Sequence, residues 1–81
     1  MAWDDTKEEL LHSIVAETLG MDIDDVTEET GPDNTAAWTS FAHLTLMSAV
    51  EEQFGIQMTM NEMISVKTVG DMRTIIQRYT G

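Results

Sequence analysis

Apolar residues recur at helical spacing in several separate stretches of the chain. The first stretch predicts a helix that ends at Gly20, since a glycine directly after a helix readily takes the left-handed conformation that terminates it. Thr6 and Glu9 have the spacing of a capping box, which predicts the start of this helix. Its expected inward face consists of Leu10, Leu11, Ile14, Val15, Thr18 and Leu19.

The second stretch predicts a helix from about Ser40 to Phe54. Thr39 is its expected N-cap, because a threonine hydroxyl accepts a hydrogen bond from an amide of the first turn, and Gly55 is its expected end. The expected inward stripe of this helix consists of Phe41, Leu44, Met47, Val50 and Phe54, with Leu46 on the flank.

Two further capping signals predict the remaining helices. Thr59 with Glu62 predicts a short helix through Ile64, and Thr68 with Asp71 predicts the start of the last helix. The expected apolar face of the last helix consists of Val69, Met72, Ile75, Ile76 and Tyr79.

The segment between the first two helices, residues 20–39, contains a cluster of turn-forming residues at 31–34. A loop of this length in a small domain is expected to be packed or functional. We expect a short helical turn at residues 24–27 and an anchor at Trp38. The residues expected to hold the first half of the loop to the core are Met21, Ile23 and Val26. No strand-like alternation occurs, so the pattern predicts an all-α fold, an irregular four-helix bundle with three main helices, one short helix and a long structured loop.

Composition narrows the class of protein. A length of 81 residues indicates one domain with a modest core. The net charge of −11, from fifteen acidic and four basic side chains, disfavours nucleic acid and anionic membranes as partners and favours basic protein surfaces. The absence of cysteine excludes disulfides and thiolate metal sites. No signal peptide and no membrane span are recognisable, so a cytoplasmic protein is expected.

Ser40 is the most informative polar residue, because it opens the second helix. The amides of a first helical turn lack intrahelical partners and lie at the positive end of the helix dipole, which favours a phosphate there. His43 follows three residues later on the same face and raises the alternative of a hydrolytic Ser–His pair. No orienting acid, oxyanion site or cleft accompanies it, so the sequence predicts a handle for a phosphate-linked group and no catalytic residue.

The acidic residues from Asp22 to Asp33 raise the alternative of a calcium loop. Counted from Asp22, the sixth and twelfth positions hold Thr27 and Asp33, where an EF-hand needs glycine and glutamate. We therefore expect a solvated charge run and no metal site. His12 is likewise expected to be solvated on the first helix, and Trp3 is expected to pack near the N-terminus.

Three motifs follow one another in a characteristic order. Ser40 is followed by the bulky Phe41 at the start of the second helix, and that helix ends in the segment VEEQFGI, residues 50–56. The entry to the last helix carries Val66, Thr68, Val69, Gly70 and Asp71. Together they resemble the acyl carrier proteins, the small four-helix carriers of phosphopantetheine, which have Asp-Ser-Leu and Leu-Glu-Glu-Glu-Phe at the corresponding places. The resemblance covers nearly the whole chain and implies one acyl-carrier-like domain over residues 1–81.

The resemblance implies a definite function. Ser40 would receive 4′-phosphopantetheine from coenzyme A through a separate phosphopantetheinyl transferase, and the thiol of the arm would carry acyl groups as thioesters. The chain would then be a non-catalytic, monomeric carrier. Its further partners would be acyl-loading, condensing or acyl-transfer enzymes with basic docking patches, in fatty acid, polyketide or another specialised acyl pathway. A peptidyl or aminoacyl carrier and an unmodified acidic helical interaction module stay open as alternatives.

The chain departs from the family pattern at Thr39, where the family has Asp before the serine. Slower modification of Ser40, an adapted partner and an engineered residue all stay open as explanations. The second helix also carries few acids, which favours a specialised carrier over the general one of fatty acid synthesis. Residues expected to flank recognition of the attachment site are Trp38, Thr39, Phe41 and His43. Residues expected on the partner surface are Glu51, Glu52, Met60 and Met63.

Overall fold

The structure, a computed structural model, describes residues 3–80 and contains four α-helices and one short 3₁₀ helix over that range. In chain order these elements are α1 (Asp5–Leu19), the 3₁₀ helix (Ile23–Asp25), α2 (Ser40–Phe54), α3 (Met60–Ser65) and α4 (Val69–Thr80). No strand occurs in the described range. The expected all-α, irregular four-helix bundle is confirmed, and residues 1, 2 and 81 of the expected domain lie outside the described part.

The helices and the long loop together enclose one apolar core. Removing each large apolar side chain from water stabilises the fold by about 1.5–3 kcal/mol, which is what holds such short helices in place. The largest fully buried side chains are Leu11, Val15, Leu46, Met47, Val50, Val66, Val69, Met72 and Ile76.

Most helix ends follow local signals in the sequence. Gly20 and Gly55 terminate α1 and α2 in the left-handed conformation, each at a φ of 66°. The Thr39 hydroxyl caps α2, and Thr59 with Glu62 forms a reciprocal capping box at the start of α3. These four predictions are confirmed, because each depends only on residues within one turn of the helix end.

The predicted start of α1 is wrong. Asp4, not Thr6, is the N-cap, and its carboxylate accepts a hydrogen bond from the Lys7 amide at 2.9 Å. Thr6 lies inside the first turn. The physical reason is a distant contact: the Trp3 ring stacks on Phe54 of α2, with ring centroids 5.9 Å apart, and this contact fixes where the chain enters the helix.

The predicted inward stripe of α2 is wrong at its first two positions. Phe41 and Leu44 are 80% and 60% exposed, whereas Leu46, assigned to the flank, is fully buried. The helix packs against α1 through the side that carries Leu46, Met47 and Val50. On a helical projection Phe41 lies on the opposite side, because five residues of helix rotate the side-chain direction by about 500°, or 140° net.

The long loop is held at several points. Val26 and Trp38 are buried as expected, while Ile23 is exposed and does not hold the loop. The short helical turn is Ile23–Asp25, so it begins one residue and ends two residues before the predicted range of 24–27. The amide of Val69, at the start of α4, donates to the Thr30 carbonyl at 2.9 Å, so the loop also fixes the entry of α4.

The entry of α4 shows half of the predicted capping box. The Thr68 hydroxyl accepts from the Asp71 amide at 3.2 Å, but the Asp71 carboxylate accepts from the Lys67 amide instead of the Thr68 amide. Tyr79, expected on the apolar face of α4, is exposed, because its hydroxyl is bonded to the Glu62 carboxylate on α3.

Gly31 is required where the loop passes the entry of α4. A Cβ atom added to Gly31 would lie 2.1 Å from the carbonyl oxygen of Lys67, far inside contact distance.

We therefore expect Gly31→Ala to lower the free energy of unfolding by about 1–3 kcal/mol, the usual cost of forcing extra atoms into a packed site. Chemical denaturation with circular dichroism detection measures this. Gly55→Ala is the informative comparison: its cost would come from the left-handed backbone, since a Cβ there meets no atom within 4 Å. Equal stability of Gly31→Ala and the parent chain would contradict the packing of the loop on Lys67.

Glu8 joins α1 to α4 and to the loop. Its carboxylate accepts from the Trp3 indole at 2.7 Å and lies 2.7 Å from Nε2 of His12 and 3.3 Å from Arg73, which also pairs with Glu28. Partial burial acts to raise the pKa of Glu8, but the Trp3 hydrogen bond and the charges of Arg73 and His12 outweigh it and lower this pKa. The expectation that His12 is simply solvated is wrong, since its side chain is only 23% exposed and its Nε2 lies against the Glu8 carboxylate.

Glu62 connects α3 to α4. Its Oε1 accepts from the Tyr79 hydroxyl at 2.5 Å and from the Thr59 amide at 2.8 Å. The Tyr79 hydrogen bond, followed by that of the Thr59 amide, lowers the pKa of Glu62 below its ordinary value. The same bond raises the pKa of Tyr79.

We expect the stability contributed by this contact to depend on pH. Because the pKa of Glu62 is lower in the folded chain, its contribution to stability is present above the unfolded pKa and is lost as pH falls through the folded one. We expect Tyr79→Phe to raise the pKa of Glu62 and to reduce stability at neutral pH, with the deficit disappearing as pH falls through the pKa of Glu62 in the folded parent chain. Carboxyl NMR titration and thermal unfolding measure the two effects. An unchanged Glu62 titration in Tyr79→Phe would show that the bond does not form in solution.

Candidate functional site

Ser40 is the first residue of α2 and is exposed. The preceding Thr39 holds the helix start in place, since its hydroxyl accepts from the Ala42 amide at 3.2 Å and its carbonyl accepts from the His43 amide at 2.8 Å. The amides of Ser40 and Phe41 have no carbonyl one turn earlier in the helix to bond. The serine hydroxyl therefore lies in water, beside N–H groups that favour a negative charge.

An open groove of about 400 Å³ lies beside Ser40. The first turns of α2, Ile64 near the end of α3, and segments of the loops before α2 and after α3 form its walls. The wall is mostly apolar, and Lys67 is the charged residue that borders it. The lining residues are Pro32, Trp38, Thr39, Ser40, His43, Leu44, Ile64, Val66 and Lys67.

His43 connects the loop before α2 to α3 through both of its ring nitrogens. The Trp38 indole N–H donates to Nδ1 of His43 at 3.0 Å, and Nε2 of His43 lies 2.8 Å from the Met63 carbonyl. Since a carbonyl only accepts, Nε2 carries the hydrogen, which assigns the neutral Nε2–H tautomer. Both ring nitrogens are then used within the fold. In this arrangement His43 has no lone pair free to take a proton from Ser40, and the Ser–His alternative loses its base.

Trp38 forms the back wall of the groove. Its side chain is only 4% exposed and packs in the core, while its indole N–H is satisfied by His43. The backbone amide of Trp38 donates to the Thr35 carbonyl at 3.0 Å, which closes the loop onto the start of α2. Trp38 therefore anchors the loop, as expected, and positions the residues around Ser40.

The four residues expected on a partner surface differ in their exposure and in their contacts. The Glu51 carboxylate is turned towards the chain and accepts from the Met58 amide at 2.8 Å. Glu52 and Met60 are exposed, whereas Met63 is partly buried against the core. Of the residues expected to flank recognition, Thr39 and Phe41 are exposed, Trp38 is buried and His43 is half-buried.

The expectation that no cleft accompanies Ser40 and His43 is wrong, since this groove borders both residues. The sequence pattern places Leu44 on the inward stripe of α2 and gives no sign that Ile64 and Lys67 lie near Ser40. No local signal joins these residues, because they come from α2, α3 and the segment before α4. Their meeting depends on tertiary packing alone, including the bond between His43 and the Met63 carbonyl.

Two further findings concern the part of the chain that the structure describes. Within residues 3–80 no group of three or more His, Cys, Asp or Glu side chains is arranged to hold a metal ion. Over the same range no helix combines the length and the apolar composition that crossing a membrane requires.

The structure is a helical bundle with an exposed serine at a helix start and an open apolar groove beside it. This is the form of a domain that carries a group attached to its surface. The comparison with known families agrees with this class. A family model described as "Phosphopantetheine attachment site" matches residues 9–76. Since the match spans most of the sequence, this chain belongs to the phosphopantetheine-attachment family, and its prosthetic group is 4′-phosphopantetheine.

Proposed function

We propose that the chain is an acyl carrier that holds its prosthetic group on the Ser40 hydroxyl. The observation that supports this most strongly is the position of Ser40, exposed at the start of α2 within the matched segment. The other hydroxyls near the α2 start have structural roles: Thr39 caps the helix, and the Thr45 hydroxyl donates to the Phe41 carbonyl at 3.1 Å.

The residues around Ser40 fit such a group. A phosphodiester on the serine oxygen would lie beside the first-turn amides of α2, which stabilise negative charge. The groove next to it offers apolar walls from Trp38, Leu44 and Ile64 for the arm or for an apolar cargo folded back onto the protein. When attached, the group supplies a thiol that holds cargo as a thioester on a tether, which replaces free diffusion with a high local concentration at each partner.

Attachment requires a separate transferase, which the chain serves as a substrate. The Ser40 oxygen forms a bond to the phosphorus that bears the pantetheine in coenzyme A, and the phosphoanhydride bond to the adenosine bisphosphate breaks. The hydroxyl proton passes to a base of the transferase, since both nitrogens of His43 are already engaged. On this proposal the chain contributes a positioned hydroxyl and a binding surface, and it catalyses no step itself.

The cargo class is proposed from charge. A net charge of −11 favours acyl over aminoacyl or peptidyl cargo, and fatty acid, polyketide and other specialised acyl pathways all fit an acyl carrier. The nearly uncharged α2 supports a specialised pathway. Partners would then comprise the transferase and enzymes that load, condense or transfer acyl groups.

Intact mass spectrometry tests the proposed function. We expect the chain to gain the mass of one phosphopantetheine when it is incubated with coenzyme A, Mg²⁺ and a broad-specificity transferase. Thr39→Asp is expected to accelerate the gain in mass, because it provides the residue that the family has before the serine. It is also expected to stabilise α2 by about 0.3–1 kcal/mol, because it keeps the N-cap and adds a negative charge at the positive helix end.

The alternative, an unmodified acidic interaction module, predicts a different result. Neither the parent chain nor Thr39→Asp would then gain mass with any transferase. A gain only in Thr39→Asp would mean that Thr39 limits an otherwise competent carrier. The proposal is refuted if both chains remain unmodified under conditions in which a known carrier is converted completely.

A further inference from the structure

A single cation borders the groove beside Ser40. Among the described residues nine line this groove, and Lys67 is the charged one. No Asp, Glu, Lys or Arg occurs in residues 34–50, so the wall that α2 contributes brings no charge of its own. The chain as a whole has four basic and fifteen acidic side chains. The surroundings of Ser40 therefore carry the opposite sign of charge from the chain, whose net charge is −11.

The ammonium group of Lys67 is not used to hold the fold together. Its side chain is exposed, and within residues 3–80 no Asp or Glu carboxylate lies within 4 Å of its Nζ. Arg73 shows the contrast, because its guanidinium pairs with both Glu8 and Glu28 and joins α4 to α1 and to the loop. The charge of Lys67 is therefore available to a ligand of the groove.

The backbone of Lys67, unlike its side chain, is fixed. Its amide donates to the Asp71 carboxylate at 2.9 Å, and its carbonyl oxygen packs so closely on Gly31 that no Cβ fits between them. The preceding Val66 is buried in the core. The side chain thus starts from a fixed point beside the groove. A lysine stem can lie along apolar walls such as Ile64 while its ammonium group stays in water.

We propose that Lys67 binds the phosphodiester that joins the arm to Ser40, and that it positions the arm at its root. The proposal rests on the proposed attachment at Ser40, which puts this phosphodiester at the edge of the groove that Lys67 borders. A phosphodiester is an anion at neutral pH, and a lysine ammonium group offers it three N–H donors and a full charge. The first-turn amides of α2 are neutral donors, so Lys67 supplies the charge that they lack.

The groove brings no acid that would compete with the phosphodiester for Lys67. Thr39, the residue before Ser40, borders the groove and is uncharged, whereas an acid at this position would repel a phosphodiester on the next residue. Asp33 follows the lining residue Pro32 but is exposed and does not pair with Lys67 in the described part of the chain. An anion attached to Ser40 is therefore the natural partner of this cation.

NMR spectra of the carrier with and without its arm test this contact from the side of the lysine. The chain has two lysines, Lys7 on α1 and Lys67, so selective ¹³C labelling of lysine gives two ε-methylene signals. Attachment of the arm is expected to shift the Lys67 signal at least about fivefold more than that of Lys7, which lies outside the groove. Raising NaCl from about 50 to about 500 mM is expected to reduce the Lys67 shift at least about twofold, because salt screens an exposed ion pair.

The ³¹P resonance of the arm tests the same contact from the side of the phosphodiester. Its reference is the modified chain unfolded in urea, in which neither Lys67 nor α2 acts on the phosphorus. We expect Lys67→Gln to reduce the difference between the folded and unfolded resonances at least about twofold, and Lys67→Arg to retain it, because arginine keeps the charge. Lys7→Gln is the matched control, which removes the same charge from α1 and is expected to leave the ³¹P resonance unchanged. The thiol is kept free, so that the phosphodiester is the sole anion of the arm.

Other results would overturn the proposal in distinct ways. A Lys67 signal that responds to the arm no more than the Lys7 signal would exclude the contact. Equal ³¹P changes in Lys67→Gln and Lys67→Arg would show that the shape of the side chain matters and its charge does not. A Lys67→Gln chain with a raised KM for modification but the ³¹P resonance of the parent would show that Lys67 binds the transferase instead.

Failure of the proposed attachment would look different from failure of this contact. A parent chain that gains no mass with coenzyme A and transferase would refute the attachment, and the role of Lys67 with it. A chain that gains the full mass but shows none of the expected NMR changes would refute the role of Lys67 alone. Circular dichroism of each variant checks folding, which we expect to be retained because the Lys67 side chain is exposed.

Discussion

Replacing Ser40 with alanine is expected to abolish phosphopantetheinylation while leaving the fold intact. The hydroxyl is the proposed point of attachment, and no other group can substitute for a missing oxygen in the transfer. Ser40 is exposed at the first position of α2, where Thr39 provides the cap, so its truncation removes no packing and no cap. Intact mass after prolonged incubation with coenzyme A and transferase should therefore show only the unmodified chain.

Ser48→Ala provides the matched control for Ser40→Ala. Ser48 is also an exposed serine of α2, two turns further along the helix. Its variant is expected to gain the full mass of one phosphopantetheine at the rate of the parent chain. Retention of the mass gain in Ser40→Ala, with circular dichroism showing a native helical fold, would move the attachment to another residue and remove the basis of the proposed function.

Truncation of Trp38 is expected to have the second largest effect, on stability. Its ring is buried in the core and forms the back wall of the groove beside Ser40. Trp38→Ala should lower the free energy of unfolding by about 3–5 kcal/mol, the usual cost of removing a large buried aromatic. A domain of this size has a total stability of only about 4–12 kcal/mol, so this substitution removes a large fraction of it. Denaturant titration followed by circular dichroism measures the loss.

Trp38→Phe separates packing from hydrogen bonding. It keeps an aromatic ring in the core but leaves Nδ1 of His43 without its donor. We expect a smaller loss of about 1 kcal/mol, together with a change in the His43 ring signals in NMR spectra, since Nδ1 loses its donor while the Met63 carbonyl still holds the hydrogen on Nε2. A Trp38→Ala chain as stable as the parent would contradict the buried position of this side chain.

The ends of α2 and the start of α3 could be predicted from the sequence because their causes are local. Thr39, Gly55 and Thr59 act on residues no more than one turn away, and the structure shows each in the expected role. The start of α1 could not be predicted in this way. Asp4 and Thr6 are both good caps, and the choice between them depends on the stacking of Trp3 on a residue of α2.

The orientation of α2 shows the same limit more clearly. Apolar residues occur on nearly every side of this helix, so periodicity alone does not say which side faces the core. The packing of α2 into the core decides it: Leu46 and Val50 are buried there, and as a result Phe41 and Leu44 project outward. Ser40 could be proposed as the attachment residue from the sequence because it opens a helix and because the motifs around it resemble those of a known family. The exposure of the apolar side chains next to it could be seen only in the folded chain.

The attachment of phosphopantetheine to Ser40 is tested most directly by locating the added mass within the chain. Cleavage after glutamate releases residues 30–51 as one peptide, because Glu29 and Glu51 border a stretch without glutamate. That peptide contains six hydroxyl side chains, at Thr30, Thr35, Thr39, Ser40, Thr45 and Ser48. Tandem mass spectrometry of the modified peptide is expected to place one phosphopantetheine on Ser40. Placement on any of the other five, or on a peptide outside residues 30–51, would contradict the account.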